Sequence, residues 1–267
     1  METRELTNEE YHSTPGYLNS SLLKAFSKSV AHGKAYINKE FKTTPAMEFG
    51  TLWHSVMEGK TFKLFNPPIN YKTDEAYDKT SKVYLDAWHY QSRNCNLIAK
   101  DDFEKIQAMQ ANFEKDYSLL QKGITAREVS IFAEVGEIHD EFGFKIRLDA
   151  MSDAHSFLID YKTTSVDDLT KIKYDFAKYD YDLQMYLYKL VADTFYSKDF
   201  EFIFIFTQTV SPYESLAITA ENMLNSGFVK FKKGIENYKK YLNNESPATA
   251  QRFSCNNNLN IINLEDL

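Results

Sequence analysis

Cysteine is nearly missing from this chain. Only Cys95 and Cys255 occur in 267 residues, far apart in sequence. That excludes a four-cysteine zinc or iron–sulfur site and points to a reducing cytosol. No apolar run approaches the roughly 20 residues needed to span a bilayer, so no membrane partner is expected. The N-terminus, METRELTNEEYHSTPG, is acidic and polar, unlike a signal peptide. Repeats and low-complexity segments are absent. Positive charge is not in excess either: 31 Lys and Arg face 38 Asp and Glu, for a net charge of −7. Such a balance argues against general adhesion to nucleic acid, although a local basic channel would still focus potential onto it. What is present, 43% hydrophobic and 15% aromatic residues, is the composition of a folded protein, with length for one large domain or two small ones.

Periodicity divides the chain near Ile124. Before it the pattern is helical. YLNSSLLKAFSKSVAHGKAYIN predicts one helix capped by Asn19, Ser20 or Ser21. AMEFGTLWHSVMEG predicts a second, with Phe49, Leu52, Trp53 and Val56 as its apolar stripe and Gly59 at its end. NPPINYKTD reads as a loop, and Glu75 to Gln121 as helical. After Ile124, REVSIFAEV, FGFKIRLDAM and SFLIDYKTT predict three strands. YDYDLQMYLYKLVADTFY predicts a helix with Leu183, Leu187, Leu190 and Val191 on one face. FEFIFIFTQT and ESLAIT predict two more strands, and a basic helix follows whose lysines suit either DNA or plain solvent. No linker separates the halves, so one domain is expected over residues 1–267: a helical part (1–122), a β-β-β-α-β core (123–220), and a final helix and tail (221–267).

Charges inside the second and third strands hold the chemical signal. Strand alternation puts Lys145, Arg147 and Asp149 on one face of FKIRLD, opposite Phe144, Ile146 and Leu148. In FLIDYK, Asp160 and Lys162 share a face, away from Ile159 and Tyr161. A tight turn centred between Ala154 and His155 sets Asp149 against Asp160, and Ile146, Leu148 and Ile159 then anchor the reverse face. Like charges opposite each other on paired strands are destabilising. A divalent cation held by hard oxygen ligands would relieve the repulsion. Lys162 would then steady charge at a phosphate or help position a water, and Glu128 would add a third carboxylate. Metal-assisted phosphodiester hydrolysis needs this set. An ordinary ion pair on a half-exposed sheet is the bland alternative. Gln184 and Tyr188 stand one turn apart on the following helix, with Tyr181 a turn earlier. They form a polar strip that either faces the hairpin or merely rims the packing. His54, beside an apolar stripe, is by itself more naturally a structural residue than a ligand.

Together, RLDA…LIDYKTT and QMYLY resemble the PD-(D/E)xK nuclease superfamily. They resemble most the RecE-type phage and prophage exonucleases, relatives of the RecB nuclease domain and lambda exonuclease. LNSSLLKAF, TPAMEFGTLWHSVME and REVSIFAE resemble that family's serine helix, histidine motif and glutamate strand. The fold implied is α/β (α+β), a central mixed β-sheet flanked by helices with a helical N-terminal elaboration. As metal ligands the resemblance implies His54, Asp149, Asp160 and the Tyr161 backbone carbonyl. It makes Lys162 the catalytic lysine, gives Glu128 a second metal or a metal-bound water, and matches Gln184 and Tyr188 to QxxxY. Ser21 would hold a 5′-phosphate at a helix N-terminus, and Arg147 would contact a phosphate from the hairpin face. Leu148 stands where the P-D signature has proline, and the RecB-type iron–sulfur cysteines are missing. The expected activity is Mg2+-dependent 5′→3′ digestion of linear double-stranded DNA, with Mn2+ able to substitute and a 3′ single strand left behind. Expected partners are DNA ends, a RecT-like single-strand annealing protein, and further copies in a trimeric or tetrameric ring. The location would be cytoplasmic, that of the bacterial host if phage-encoded. Alternatives are another DNase on this fold, such as an endonuclease or a single-strand-specific exonuclease, and a non-catalytic DNA-binding or DNA-mimic protein.

Overall fold

The computed structural model describes residues 1–40 and 43–245. Cys255 and the tail NNNLNIINLEDL lie outside the described residues. The chain opens with β1 (Glu2–Arg4), α1 (Asn8–Ser13) and β2 (Tyr17–Leu18). These are too short for periodicity to reveal, although Thr7 and Glu10 form a capping box on α1. The single helix expected next is two, α2 (Ser20–Lys28) and α3 (Val30–Ile37). Asn19 caps α2, accepting the Leu22 N–H at 2.9 Å. The break falls at Ser29, whose backbone is extended (φ −170°, ψ 166°) and whose hydroxyl caps α3. Serine competes with the helix by bonding the local backbone.

Helix α4 (Pro45–Met57) is capped by Thr44, with proline in its first turn. The helical stretch expected over Glu75–Gln121 is instead interrupted. It holds α5 (Lys82–Gln91) and α6 (Lys100–Gly123), separated by the strand Asn96–Ile98, which pairs in parallel with Phe62–Leu64. The expected loop NPPINYKTD contains the strand Ile69–Asn70, antiparallel to Glu75–Ala76. Two- and three-residue strands carry too little alternation to register in a sequence.

From there the expectations hold more closely. Numbering only main-sheet strands, β3 (Ala126–Ala133), β4 (Gly143–Ser152) and β5 (Phe157–Thr164) are followed by α7 (Leu169–Lys178), α8 (Tyr181–Tyr196), β6 (Glu201–Gln208), β7 (Ser215–Thr219) and α9 (Leu224–Leu242). Helix α7, which buries Ile172 and Phe176 one turn apart, was not expected. Among the described residues the sheet order is β1-β3-β4-β5-β6-β7, with β2 beside the start of β4. Strands β5 and β6 are parallel, joined by the α7–α8 crossover, while β3–β4, β4–β5 and β6–β7 are antiparallel. The sheet is therefore mixed. No helix among the described residues is long and apolar enough to cross a membrane.

Each sheet face carries its own core. Ile131, Phe144, Ile146, Leu148, Leu158, Phe202, Phe204 and Phe206 pack with Leu23 of α2, Leu183, Leu187 and Val191 of α8, and Phe231 and Ile235 of α9. Ala150, Phe157, Ile159, Tyr161 and Ile205 pack on the other face with Trp53 of α4 and Ile106, Met109 and Phe113 of α6. Helix α9 presses onto its neighbours through glycine: a Cβ at Gly227 would lie 2.2 Å from the Asp182 carbonyl oxygen.

Candidate active site

Strict alternation fails where the charges begin. Leu148 belongs to the core beneath α8, Ala150 to the core beneath α4, and Met151 again to the first. The facing strand does the same: Val129 and Ala126 both pack on the α8 side, and Glu128 between them has φ 52°. A left-handed conformation at a non-glycine residue costs of order 1 kcal/mol or more and tends to mark functional positions. Ile146 and Leu148 are therefore not on the face of Ile159, which corrects the flat-hairpin expectation.

Pairing between β4 and β5 also stops one residue short. Ala150 pairs with Ile159, and the ladder ends there. At its other end β4 is flanked by β2, next to Gly143 and Phe144. The result is a fork at the expected Asp149–Asp160 pair, so these residues do not form a ladder pair. Physical chemistry accounts for the opening, since two carboxylates directly opposed would repel. Asp149 fills the gap with its own side chain. Its Oδ2 accepts the Tyr161 N–H at 2.8 Å, as a strand carbonyl would. The same oxygen lies 3.2 Å from His54 Nδ1 on α4.

Across the fork, Asp160 is 2% exposed and faces α8. Gln184 Nε2 donates to its Oδ1. The Lys162 ammonium lies against its Oδ2, yet that oxygen accepts no well-directed hydrogen bond. Lys162 also sits over the Tyr181 ring, 5.2 Å from its centroid. Burial pushes the Asp160 carboxyl above its ordinary value, and Asp149 adds to the effect against the pull of Lys162. At Asp149 burial is outweighed by His54, Lys162 and the Tyr161 N–H, so that carboxyl is held low. His54 is raised, because the Asp149 carboxylate overcomes burial. For Lys162 burial is likewise overcome, by Asp160 and Asp149, and the ammonium is held charged. One lysine thus serves two carboxylates.

Glu128 reaches the fork from β3. Burial raises its carboxyl to about 7 against the Arg147 pairing, and Asp149 and Glu58 push the same way. Arg147 Nε pairs with Glu128, and its Nη1 donates to the Leu6 carbonyl (3.0 Å) and Ser130 Oγ (3.2 Å). Tyr188 is buried and hydrogen-bonded to Ser20, which makes it a support within the packing. Ser21 is exposed on the first turn of α2. The Tyr161 ring is buried in the α4-side core, its hydroxyl 3.5 Å from Arg127. Of the expected set, His54, Glu128, Asp149, Asp160, Lys162 and Gln184 converge on the fork. Two residues were missed. Lys24 donates to Gln184 Oε1 at 2.9 Å, and Glu58 ends α4 near Glu128. Lys24 is visible in the sequence only as the residue one turn after Ser20.

The carboxylates of Asp149 and Asp160 suit a hard divalent cation, Asp160 Oδ2 being buried without a directed hydrogen bond, and the His54 imidazole stands beside them as a softer donor. As the side chains stand, no three His, Cys, Asp or Glu groups among the described residues are arranged to hold one ion. Lys162 and His54 neutralise the oxygens that an ion would otherwise take.

No curated protein matches the chain. Among solved structures, the fold is similar to that of a "Putative exonuclease" from Eubacterium rectale, with a TM-score of 0.61 and 16% identity, covering 91% of this chain and 88% of that one. A phage related exonuclease from Haemophilus somnus matches at TM-score 0.32 and 13% identity over 72% of this chain and 92% of that one. The family described as "PDDEXK-like domain of unknown function (DUF3799)" matches residues 19–257. Nearly the whole described structure, the forked sheet included, falls within that span, and the chain belongs to this PDDEXK-like family of the PD-(D/E)xK nuclease superfamily.

Proposed function

We propose that this protein is a divalent-metal-dependent exonuclease that digests linear double-stranded DNA from 5′ ends and leaves a 3′ single strand. The observation that carries the reading is the fork, where Asp149, Asp160 and Lys162 stand together with His54 in reach. The Eubacterium rectale structure described as a "Putative exonuclease", similar in fold over 91% of this chain, supports an exonuclease reading. In it Asp149, Asp160, His54 and the Tyr161 carbonyl would hold Mg2+, for which Mn2+ would substitute. When bound, the ion supplies Lewis-acid charge to the phosphate and acidifies a water.

The remaining work falls to the chain. Lys162 stabilises charge that develops on the phosphate oxygens. Gln184 keeps the Asp160 carboxylate oriented, and Arg147 holds Glu128 at the rim of the fork. Ser21, exposed on the first turn of α2, would hold a 5′-phosphate at the helix N-terminus. In this reading several copies form a trimeric or tetrameric ring that encloses DNA, which explains how an acidic chain would stay on its substrate. A single-strand annealing protein would take the product. The test is release of label from 5′-labelled linear duplex with Mg2+, alongside a closed circular duplex. Digestion of the linear form alone is expected, and cutting of the circle would replace the exonuclease with an endonuclease.

A further inference from the structure

Two polar strips meet behind the fork. Gln184 and Tyr188 lie one turn apart on α8, and Ser20 and Lys24 lie one turn apart on α2. Ser20 is hydrogen-bonded to Tyr188, and Lys24 Nζ donates to Gln184 Oε1 at 2.9 Å. The later residue of one pair meets the earlier residue of the other, so the two pairs match end for end. Lys24 also sits over the Tyr181 ring at 5.1 Å, on the same ring that carries Lys162. Asp160, Asp180 and Asp182 are the carboxylates that face Lys24, and Lys162 is the opposing cation.

We propose that Lys24 is a positioning residue that fixes which end of the Gln184 carboxamide faces Asp160. Burial, with Lys162 nearby, pushes the Lys24 amine down to about 7; its charged form has donors only, and the Gln184 atom it meets at 2.9 Å is the oxygen. The amide nitrogen is then turned to the far side, where it donates to Asp160 Oδ1. A carboxamide that had flipped would set its oxygen against a carboxylate oxygen. With Oδ1 held by Gln184, the other oxygen of Asp160 stays aimed into the fork beside Lys162. Lys24 therefore acts on the reacting centre at one remove, through Gln184, without touching substrate.

This inference rests on the nuclease reading, and its test separates the two. Lys24→Met, Gln184→Leu and the double variant are compared with wild type on labelled linear duplex. Lys24→Met is expected to lower kcat by about 10–100-fold, as outer partners of a site commonly do, with KM for DNA unchanged. In the Gln184→Leu background the same substitution should cost less than about twofold, since the group it positions is gone. Lys24→Gln, which keeps a donor, should recover part of the loss. A full loss in the Gln184→Leu background, or a rise in KM alone, would mean that Lys24 meets DNA directly and would overturn the proposal; so would wild-type kcat in Lys24→Met. Urea midpoints of the same four proteins give a readout independent of activity. They should be non-additive, and additive midpoints would break the Lys24–Gln184 link even if wild type proved to digest no DNA.

Discussion

Replacing Lys162 by methionine separates the cost of the site from its use. The ammonium lies against Asp160 in a setting where the lysine side chain is 17% exposed and the aspartate 3%. Removing one member of a buried ion pair costs about 3–5 kcal/mol, because the other charge stays behind uncompensated. Partial exposure of Lys162 puts the expectation at the lower end, about 3 kcal/mol. With a urea m-value of about 3 kcal/mol/M for a chain near the upper end of the small-protein range, the unfolding midpoint should fall by roughly 1 M in EDTA. Adding Asp160→Asn removes the stranded charge and keeps an acceptor for Gln184, so the double variant should return to within about 1 kcal/mol of wild type. Activity should follow a different course. Both proteins should digest 5′-labelled duplex at least about 100-fold more slowly, because the charge-stabilising group is gone from each. Lys162→Met with wild-type activity would refute the site assignment. A double variant no more stable than the single one would refute the account of the buried pair.

Other outcomes follow from the same structure. Gly227→Ala should lower stability by roughly 1–2 kcal/mol in urea unfolding: the added methyl meets the Asp182 carbonyl at 2.2 Å, and such overpacking outweighs the helix-propensity gain of about 1 kcal/mol. An unchanged or raised midpoint would mean that α9 has room to move. Lys145 is 2% exposed and donates to the Tyr11 and Thr14 carbonyls at 2.6 and 2.7 Å, closing the end of α1. Lys145→Met should cost about 1.5–3 kcal/mol and speed proteolysis ahead of Tyr17, and equal protection would contradict that tie. Chelation of wild type with EDTA should abolish DNA digestion and Mg2+ should restore it, whereas full activity in EDTA would end the metal-dependent reading.

The strands after Ile124 and helix α8 were legible because long buried strands and a 16-residue helix repeat their periods many times, whereas the ten-residue α7 between β5 and α8 was not. Asp149, Asp160 and Lys162 were legible as charges interrupting such strands, and His54, Glu128 and Gln184 through the family resemblance. Alternation misled at one place. Ile146 and Leu148 lie under α8 while Ile159 lies under α4, because both β3 and β4 change face around Glu128 and Asp149. Nothing in a period-two pattern announces a coordinated twist in two strands. Alternation suggested Arg147 for a phosphate, and the resemblance matched Tyr188 to QxxxY. Their actual partners, Leu6, Ser130 and Ser20, come from segments whose approach no local pattern encodes.

The sequence by itself determined the chemistry available: carboxylates, a lysine and a glutamine carried on elements whose periods fix their local orientation. Only the tertiary structure decided how these groups are spent. It ended the strand pairing at Ala150 and Ile159, so that Asp149 bonds the Tyr161 backbone. It also brought Lys24 across 160 residues of chain to Gln184. The reason is physical: periodicity is a property of neighbours along the chain, whereas compensation of a buried charge depends on which distant group arrives beside it.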